Sequence, residues 1–314
     1  MVLLLNASLP SPPKGPMQSK STKSWILLWL LSLLWGFSFL WIRLAVQDVP
    51  PLFLAALRVS FGGALLWFFF CILQAKSQRF SIKLWLYAGL MGFLGNALPF
   101  TAINWGLQKA DSAQAGILMA TMPITTALLA HFFANETLNL KRILGLSFGF
   151  IGVLFIFWPD VDQGAGKGLF WHKGAILGAA LCYAVNAIIA KKAPEAPQYF
   201  WAYATLCWAG VFALPLAFSF ESINPGTWTP LTWVALTALT VLSTSAGTVV
   251  YFALIKEAGA SFMAMINFPI PIIATAAGIL FLDEPFSIFL FSALGFVLLG
   301  LYFAQPQPNN EQLN

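Results

Sequence analysis

Apolar runs about 20 residues long, divided by short polar breaks, recur along nearly the whole chain. A run of about 20 apolar residues is what a helix needs to cross the hydrocarbon core of a bilayer. Ten segments meet or approach that length: about 25–45, 52–74, 84–107, 112–134, 143–158, 174–191, 199–220, 231–255, 261–282 and 286–304. None alternates apolar with polar residues as a membrane strand does, so each is expected to be a helix. The pattern predicts an all-α polytopic membrane protein with ten transmembrane helices. The longest internal break, about 159–173, leaves no room for an extramembrane domain.

Composition narrows the function classes. Hydrophobic residues make up 59% of the 314 and charged residues 9%, against about 25% charged in a soluble domain. A water-soluble catalytic or nucleic-acid-binding domain is excluded. The net charge of +5 is spread between apolar runs, so no nucleic-acid partner is expected and the basic residues read as topology signals. Eleven of the 16 Lys and Arg fall on one set of alternate loops, among them Lys23, Lys76, Lys83, Lys141, Lys191 and Lys256. That bias puts both termini in the cytoplasm, residues 1–23 and 305–314 forming the tails; the expected location is the cell (inner) membrane. MVLLLNASLPSPPKGP is too short in its apolar part for a signal-peptide core; a disordered tail and a native start at Met17 are the two readings it leaves. Cys71, Cys182 and Cys207 show no metal-ligand spacing and are expected to be small buried hydrophobes.

One ungapped shift of 148 residues aligns the two halves: Trp35 and Arg43 fall on Tyr183 and Lys191, Pro123 and Glu136 on Pro271 and Glu284, Phe148 and Gly152 on Phe296 and Gly300. Each half holds an odd number of spans, so the second half enters the membrane in the opposite sense. The expected architecture is therefore two inverted five-helix repeats, 24–158 and 172–304.

WGFSFLWIRLA followed by PPLFLAALRVSFGGALL, then ATMPITTALLAHFFANETLNLKRILGLSFGFIGVLF and its echo NFPIPIIATAAGILFLDEPFSIFLFSALGFVLLGLYFA, resemble the EamA-type family of the drug/metabolite transporter superfamily. The resemblance runs from about residue 24 to 304. It implies export or exchange of small metabolites, often amino acids or amphipathic compounds, through a cavity lined by the first four spans of each half, the fifth lying at the periphery. Membrane lipid and a small-molecule substrate are the implied partners, with the chain a monomer or weak homodimer. A lipid-linked substrate flippase subunit shares the architecture. An integral-membrane enzyme needs clustered His, Asp or Glu, and His131 and His172 lie far apart. No GxxxxGK[ST] loop is present, and no cofactor or metal is expected.

Polar residues inside lipid are costly and mark pathways or helix contacts. Thr101, Asn104, Trp105 and Gln108 share one helical face; Thr244, Thr248 and Tyr251, Asn267 with Thr275, and Tyr183 with Asn186 form similar stripes. Trp35, Ser38, Thr101, Asn104, Trp105, Tyr183, Asn186, Thr248, Tyr251 and Asn267 are the substrate-pathway candidates, with self-bonded hydroxyls and helix seams as the alternative for each. Pro123, Pro269 and Pro271 are expected to break their helices as hinges or kinks. Inversion puts Glu136 and Glu284 at opposite ends, where helix capping is the expected role. No carboxylate lies at midspan, and His131 is the titratable group within a span. Arg43 and Arg58 would give a cationic vestibule if both face the cavity, Arg58 otherwise snorkelling or bonding an internal carbonyl.

Overall fold

The structure is a computed structural model that describes residues 21–73, 79–134, 139–162 and 167–304; among them there is no strand. Expectations for Met17 and Glu136 lie outside the described residues. The helices are α1 (Thr22–Ala45), α2 (Pro51–Ile72), α3 (Ile82–Gly106), α4 (Ser112–Phe133), α5 (Leu140–Pro159), α6 (Gly168–Lys192), α7 (Gln198–Phe220), α8 (Pro230–Ala258), α9 (Ser261–Leu282) and α10 (Ile288–Ala304). Among the described residues the first nine are long and apolar enough to cross a membrane. The 17 residues of α10 reach about 26 Å at 1.5 Å per residue, slightly under a bilayer core.

Local chemistry starts these helices where the polar breaks end. The Ser21, Ser81 and Thr229 hydroxyls accept from the backbone N–H groups of Ser24, Leu84 and Thr232, each satisfying one orphan donor of a first turn. Asp111 and Gln114 form a capping box at α4. Large apolar side chains such as Phe218, Phe220, Leu280, Phe286 and Ile288 are exposed, as a lipid-facing surface requires. Cys71 belongs to that surface too, and is exposed rather than buried.

The packing shows the two-fold relation between the halves. α2 packs on α7, α4 on α9 and α5 on α10, each helix against its own repeat counterpart. α1 packs on α8 and α3 on α6, two contacts that exchange under the same symmetry. Helix irregularities repeat as well. α3 contains a π-helical segment at Phe93–Ala97; the 148-residue offset carries it onto 241–245, inside the π segment Ala238–Ala246 of α8. α4 breaks at Ala120 and Thr121 before restarting at Met122, and α9 breaks at the equivalent Phe268 before restarting at Pro269. Pro123, Pro269 and Pro271 thus sit in the first turn of a restarted helix, where a missing N–H costs nothing. α1 breaks at Phe37, whereas α6 runs on through its matching position.

The sixth helix begins nearly two turns earlier than the hydropathy pattern indicates, at Gly168 rather than about 174. Its first turns carry His172 and Lys173, which lower the local hydropathy but are buried and partnered. The Lys173 ammonium donates to the Ile156 carbonyl at 2.9 Å, and His172 stacks on Trp105 at 4.0 Å. The described residues of the polar break read at 159–173 are therefore helical.

Candidate functional site

Each π segment packs against helices of the other half, that of α3 on α7 and α6 and that of α8 on α2 and α1, and polar groups gather around them. A π turn inserts a residue into the i to i−4 ladder and re-aims the side chains that follow, which is why such turns recur at functional sites. In α8 this places Thr244 opposite Arg58 of α2: the Arg58 Nε donates to the Thr244 hydroxyl at 2.6 Å. The guanidinium lies 4.0 Å above the Phe100 ring, and Tyr183 of α6 is its electrostatic neighbour. Arg58 is 5% exposed. One residue before Thr244, the Ser243 carbonyl accepts from the Trp35 indole N–H at 3.0 Å. Trp35 in turn stacks on Tyr251, centroids 5.6 Å apart at 29°. Asn186 presses on Gly95 of the α3 π segment, where any side chain would collide with its amide. The Asn186 Oδ1 is buried and has no hydrogen-bond partner.

Arg58 with Tyr183, and Trp35 with Tyr251, are thus joined at the Ser243–Thr244 stretch of α8, with Thr248 half-buried on the same helix as Tyr251, while Asn186 stands three residues beyond Tyr183 on α6 against the other π segment. Ser38 caps its own helix break by donating to the Trp35 carbonyl. Asn267 bonds its local Ala264 carbonyl. The α3 stripe does not converge. Thr101 donates to the Ala97 carbonyl of its own helix. Asn104 is fully buried and donates to the Pro51 carbonyl at the start of α2. Trp105 lies at the surface against His172. Thr101→Val is expected to change stability by no more than about 1 kcal/mol, and Asn104→Ala to cost about 1–3 kcal/mol by removing a buried partner. Thermal unfolding of the two variants in detergent, side by side, checks this.

Arg43 is separate from Arg58. It lies at the end of the bundle that carries Glu284, where its Nη1 donates to the Leu107 and Gln108 carbonyls at 2.7 and 2.9 Å, closing the C-terminus of α3. The whole end is built on this logic, with cations on helix C-termini and carboxylates on N-termini. Glu284 is buried and accepts from the Ser112 and Ala113 N–H groups of α4 at 2.6 and 2.9 Å. It reaches them because Asp283 takes a left-handed turn, φ 53°, after α9. Glu221 accepts from Leu52 and Phe53 of α2 at 3.1 and 2.9 Å. Asp48 accepts from the Thr229 N–H and the Thr232 hydroxyl at the head of α8, the backbone bond first among the causes that hold its carboxyl below the ordinary range. Asp111 is pushed up, by burial first and then by the Glu284 charge, with Arg43 and Lys173 opposing. A cavity of about 280 Å³ opens here, lined by Arg43, Gln47, Asp111 and Glu284 among others.

Sequence reasoning passed over Phe100, Asp48, Asp111, Lys173 and Glu221. A usable signal existed for the carboxylates, since each stands just outside a span end. Their partners lie on other helices, up to 184 residues away in the Asp48–Thr232 bond, and no local pattern names them. Among the described residues no cluster of His, Cys, Asp and Glu fits a metal.

The model of the EamA-like transporter family matches residues 23–158 and 171–304. The chain is 29% identical over 268 residues to "Uncharacterized transporter YoaV" of Bacillus subtilis, covering 82% of this chain and 88% of that protein. It is 24% identical over 292 residues to "Probable amino-acid metabolite efflux pump" of Escherichia coli, covering 90% and 94%. A solved crystal structure superposes with a TM-score of 0.63 at 18% identity, covering 91% of this chain and 97% of that one, a likeness of fold.

Proposed function

The chain belongs to the EamA-like transporter family, and from that premise we propose that it is a secondary transporter that exports a small organic metabolite. The Arg58 constellation is its binding centre, and the two five-helix repeats rock about it in alternating access. The observation that carries this reading is where the polar groups lie. They meet between the halves, at two π segments in equivalent positions, as a midplane site between inverted repeats requires. The carboxylate contacts of the Glu284 end also join opposite halves: Glu284 and Glu221 hold α4 and α2 of the first repeat, and Asp48 holds α8 of the second. Releasing them opens that end. The basic-residue bias places it on the outer face, with both termini in the cytoplasm of a cell that holds the protein in its inner membrane. Family membership points away from an enzyme.

Export of amino acids is the first activity to test, given the name of the Escherichia coli relative. Proteoliposomes loaded with a panel of amino acids and amphipathic metabolites, with and without a pH gradient, are expected to release at least one of them faster than protein-free vesicles. Release of none across the panel, with movement of a lipid-linked probe between leaflets, overturns the reading in favour of a flippase.

A further inference from the structure

Arg58 carries a full charge into a membrane-spanning bundle while only 5% exposed. A buried charge is tolerated when it is paired, yet among the described residues no carboxylate pairs with it; the ion pair they form is Lys23–Glu257, at the far end. The partners of Arg58 are neutral. Thr244 takes the Nε hydrogen, and the Phe100 ring covers one face of the plane. A guanidinium has five N–H donors. With Nε engaged, the four on Nη1 and Nη2 remain, and no described residue accepts from them.

Together these contacts engage Nε and one face of the group and leave its end-on fork without an acceptor among the described residues. That fork matches a carboxylate, which it binds through two parallel hydrogen bonds. A lysine at this position would present a point charge without the planar match. An aromatic wall, Trp35 stacked on Tyr251, is fixed to the same stretch of α8 through the Ser243 carbonyl, one residue before the Thr244 that holds Arg58.

We infer that the solute is a small organic monoanion, its carboxylate seated end-on against Nη1 and Nη2 of Arg58 and its apolar or aromatic body lying along the Trp35–Tyr251 wall. This rests on the proposed transport function and names the substrate class of that same centre. Binding neutralises the buried charge, so selectivity depends on charge as well as on shape. A neutral amide of the same outline fills the same volume and leaves the guanidinium without its counter-charge.

Benzoate and benzamide separate the two effects, since they differ in the charged group and share the ring. Each is titrated into purified full-length protein in detergent, with intrinsic tryptophan fluorescence and ligand-induced thermal stabilisation as readouts. The wild type is expected to bind benzoate at least tenfold more tightly than benzamide. Arg58→Gln is expected to weaken benzoate by at least tenfold and benzamide by less than twofold. Arg58→Lys keeps the charge but not the fork, and is expected to weaken benzoate alone by about threefold or more; it also decides the matter if Arg58→Gln does not fold. Equal affinity for the two probes in the wild type, or equal loss of both in the variant, overturns the inference. So does displacement by an anionic phospholipid with no response to benzoate, which assigns the fork to a lipid headgroup.

The same preparations in proteoliposomes keep the inference distinct from the function it rests on. Binding that depends on Arg58 without flux of any solute upholds the site and overturns the transport reading. Flux of neutral solutes alone, indifferent to Arg58→Gln, upholds transport and overturns the anion anchor.

Discussion

Gly300→Leu is expected to unfold the protein or to lower its stability by about 3 kcal/mol or more. A Cβ at Gly300 would stand 2.8 Å from the Gly149 nitrogen and 2.9 Å from the Gly145 carbonyl. Both are backbone atoms of α5, which cannot rotate away as a side chain can. The partner glycine is no more tolerant: a Cβ at Gly145 meets the Gly300 carbonyl and the Ala304 nitrogen, each at 2.8 Å. Lipid gives helices little hydrophobic reason to associate, so α5 and α10 are held by close van der Waals contact between small residues. The rings stacked over that contact depend on it, Phe148 on Phe296 and Phe303, and Phe155 on Phe296. Overpacking a well-fitted seam costs about 1–3 kcal/mol, occasionally more, where atoms can yield. Gly295 on the same helix has nothing within 4 Å of its Cβ position. Gly295→Leu is expected to be neutral or slightly stabilising, because Leu favours a helix over Gly by up to about 1 kcal/mol. Thermal unfolding of both variants in detergent, followed by size-exclusion chromatography, gives the comparison; equal behaviour overturns it.

This seam was legible from the sequence only as a repeat. Phe148, Gly152, Phe296 and Gly300 align at one offset, and the same offset locates the breaks at Ala120 and Phe268 through Pro123 and Pro271. Apolar run length located the ten helices for a similarly direct reason, since it is what lipid selects. Residues facing protein could not be ranked so easily. In a membrane helix apolar residues face both protein and lipid, so a polar stripe is the main directional signal, and it serves seams and pathways alike. Asn104 and Asn186 are the same amide in the same kind of stripe. The oxygen of each is buried without a partner, but the Asn104 amide nitrogen ties α3 to the Pro51 carbonyl, while the Asn186 amide lies against Gly95. The difference comes from the π turn in α3, and no feature of the FLGNA stretch announces that turn.

Glu284→Ala is expected to cost about 4 kcal/mol, the sum for two buried N–H groups left without acceptors at about 1–3 kcal/mol each. Ser112, which presents one of them, is fully buried, so water cannot replace the carboxylate there. Glu284→Gln retains one acceptor oxygen and is expected to lose about half as much. Glu195→Ala, at an exposed position, is expected to lose nothing measurable. The pH dependence separates charge from capping. Asp111 is raised in the folded protein, so its contribution to stability is fully present below the ordinary carboxylate range and is lost as pH rises through its raised value. Asp48 is lowered; its contribution is present above the ordinary range and is lost as pH falls through its own lowered value. Burial remains the first cause at Asp111 when the Glu284 charge is removed. The Glu284→Gln protein is therefore expected to lose stability over a narrower span of rising pH than the wild type, while the acid-side loss set by Asp48 is unchanged. Melting temperatures of the wild type, Glu284→Gln and Asp111→Asn from strongly acid pH, below the ordinary carboxylate range, to neutral pH test this. A wild-type curve that Asp111→Asn leaves unaltered in shape refutes the assignment to Asp111. An unaltered melting temperature in Glu284→Ala refutes the cap, and with it the idea that this end opens by releasing α4.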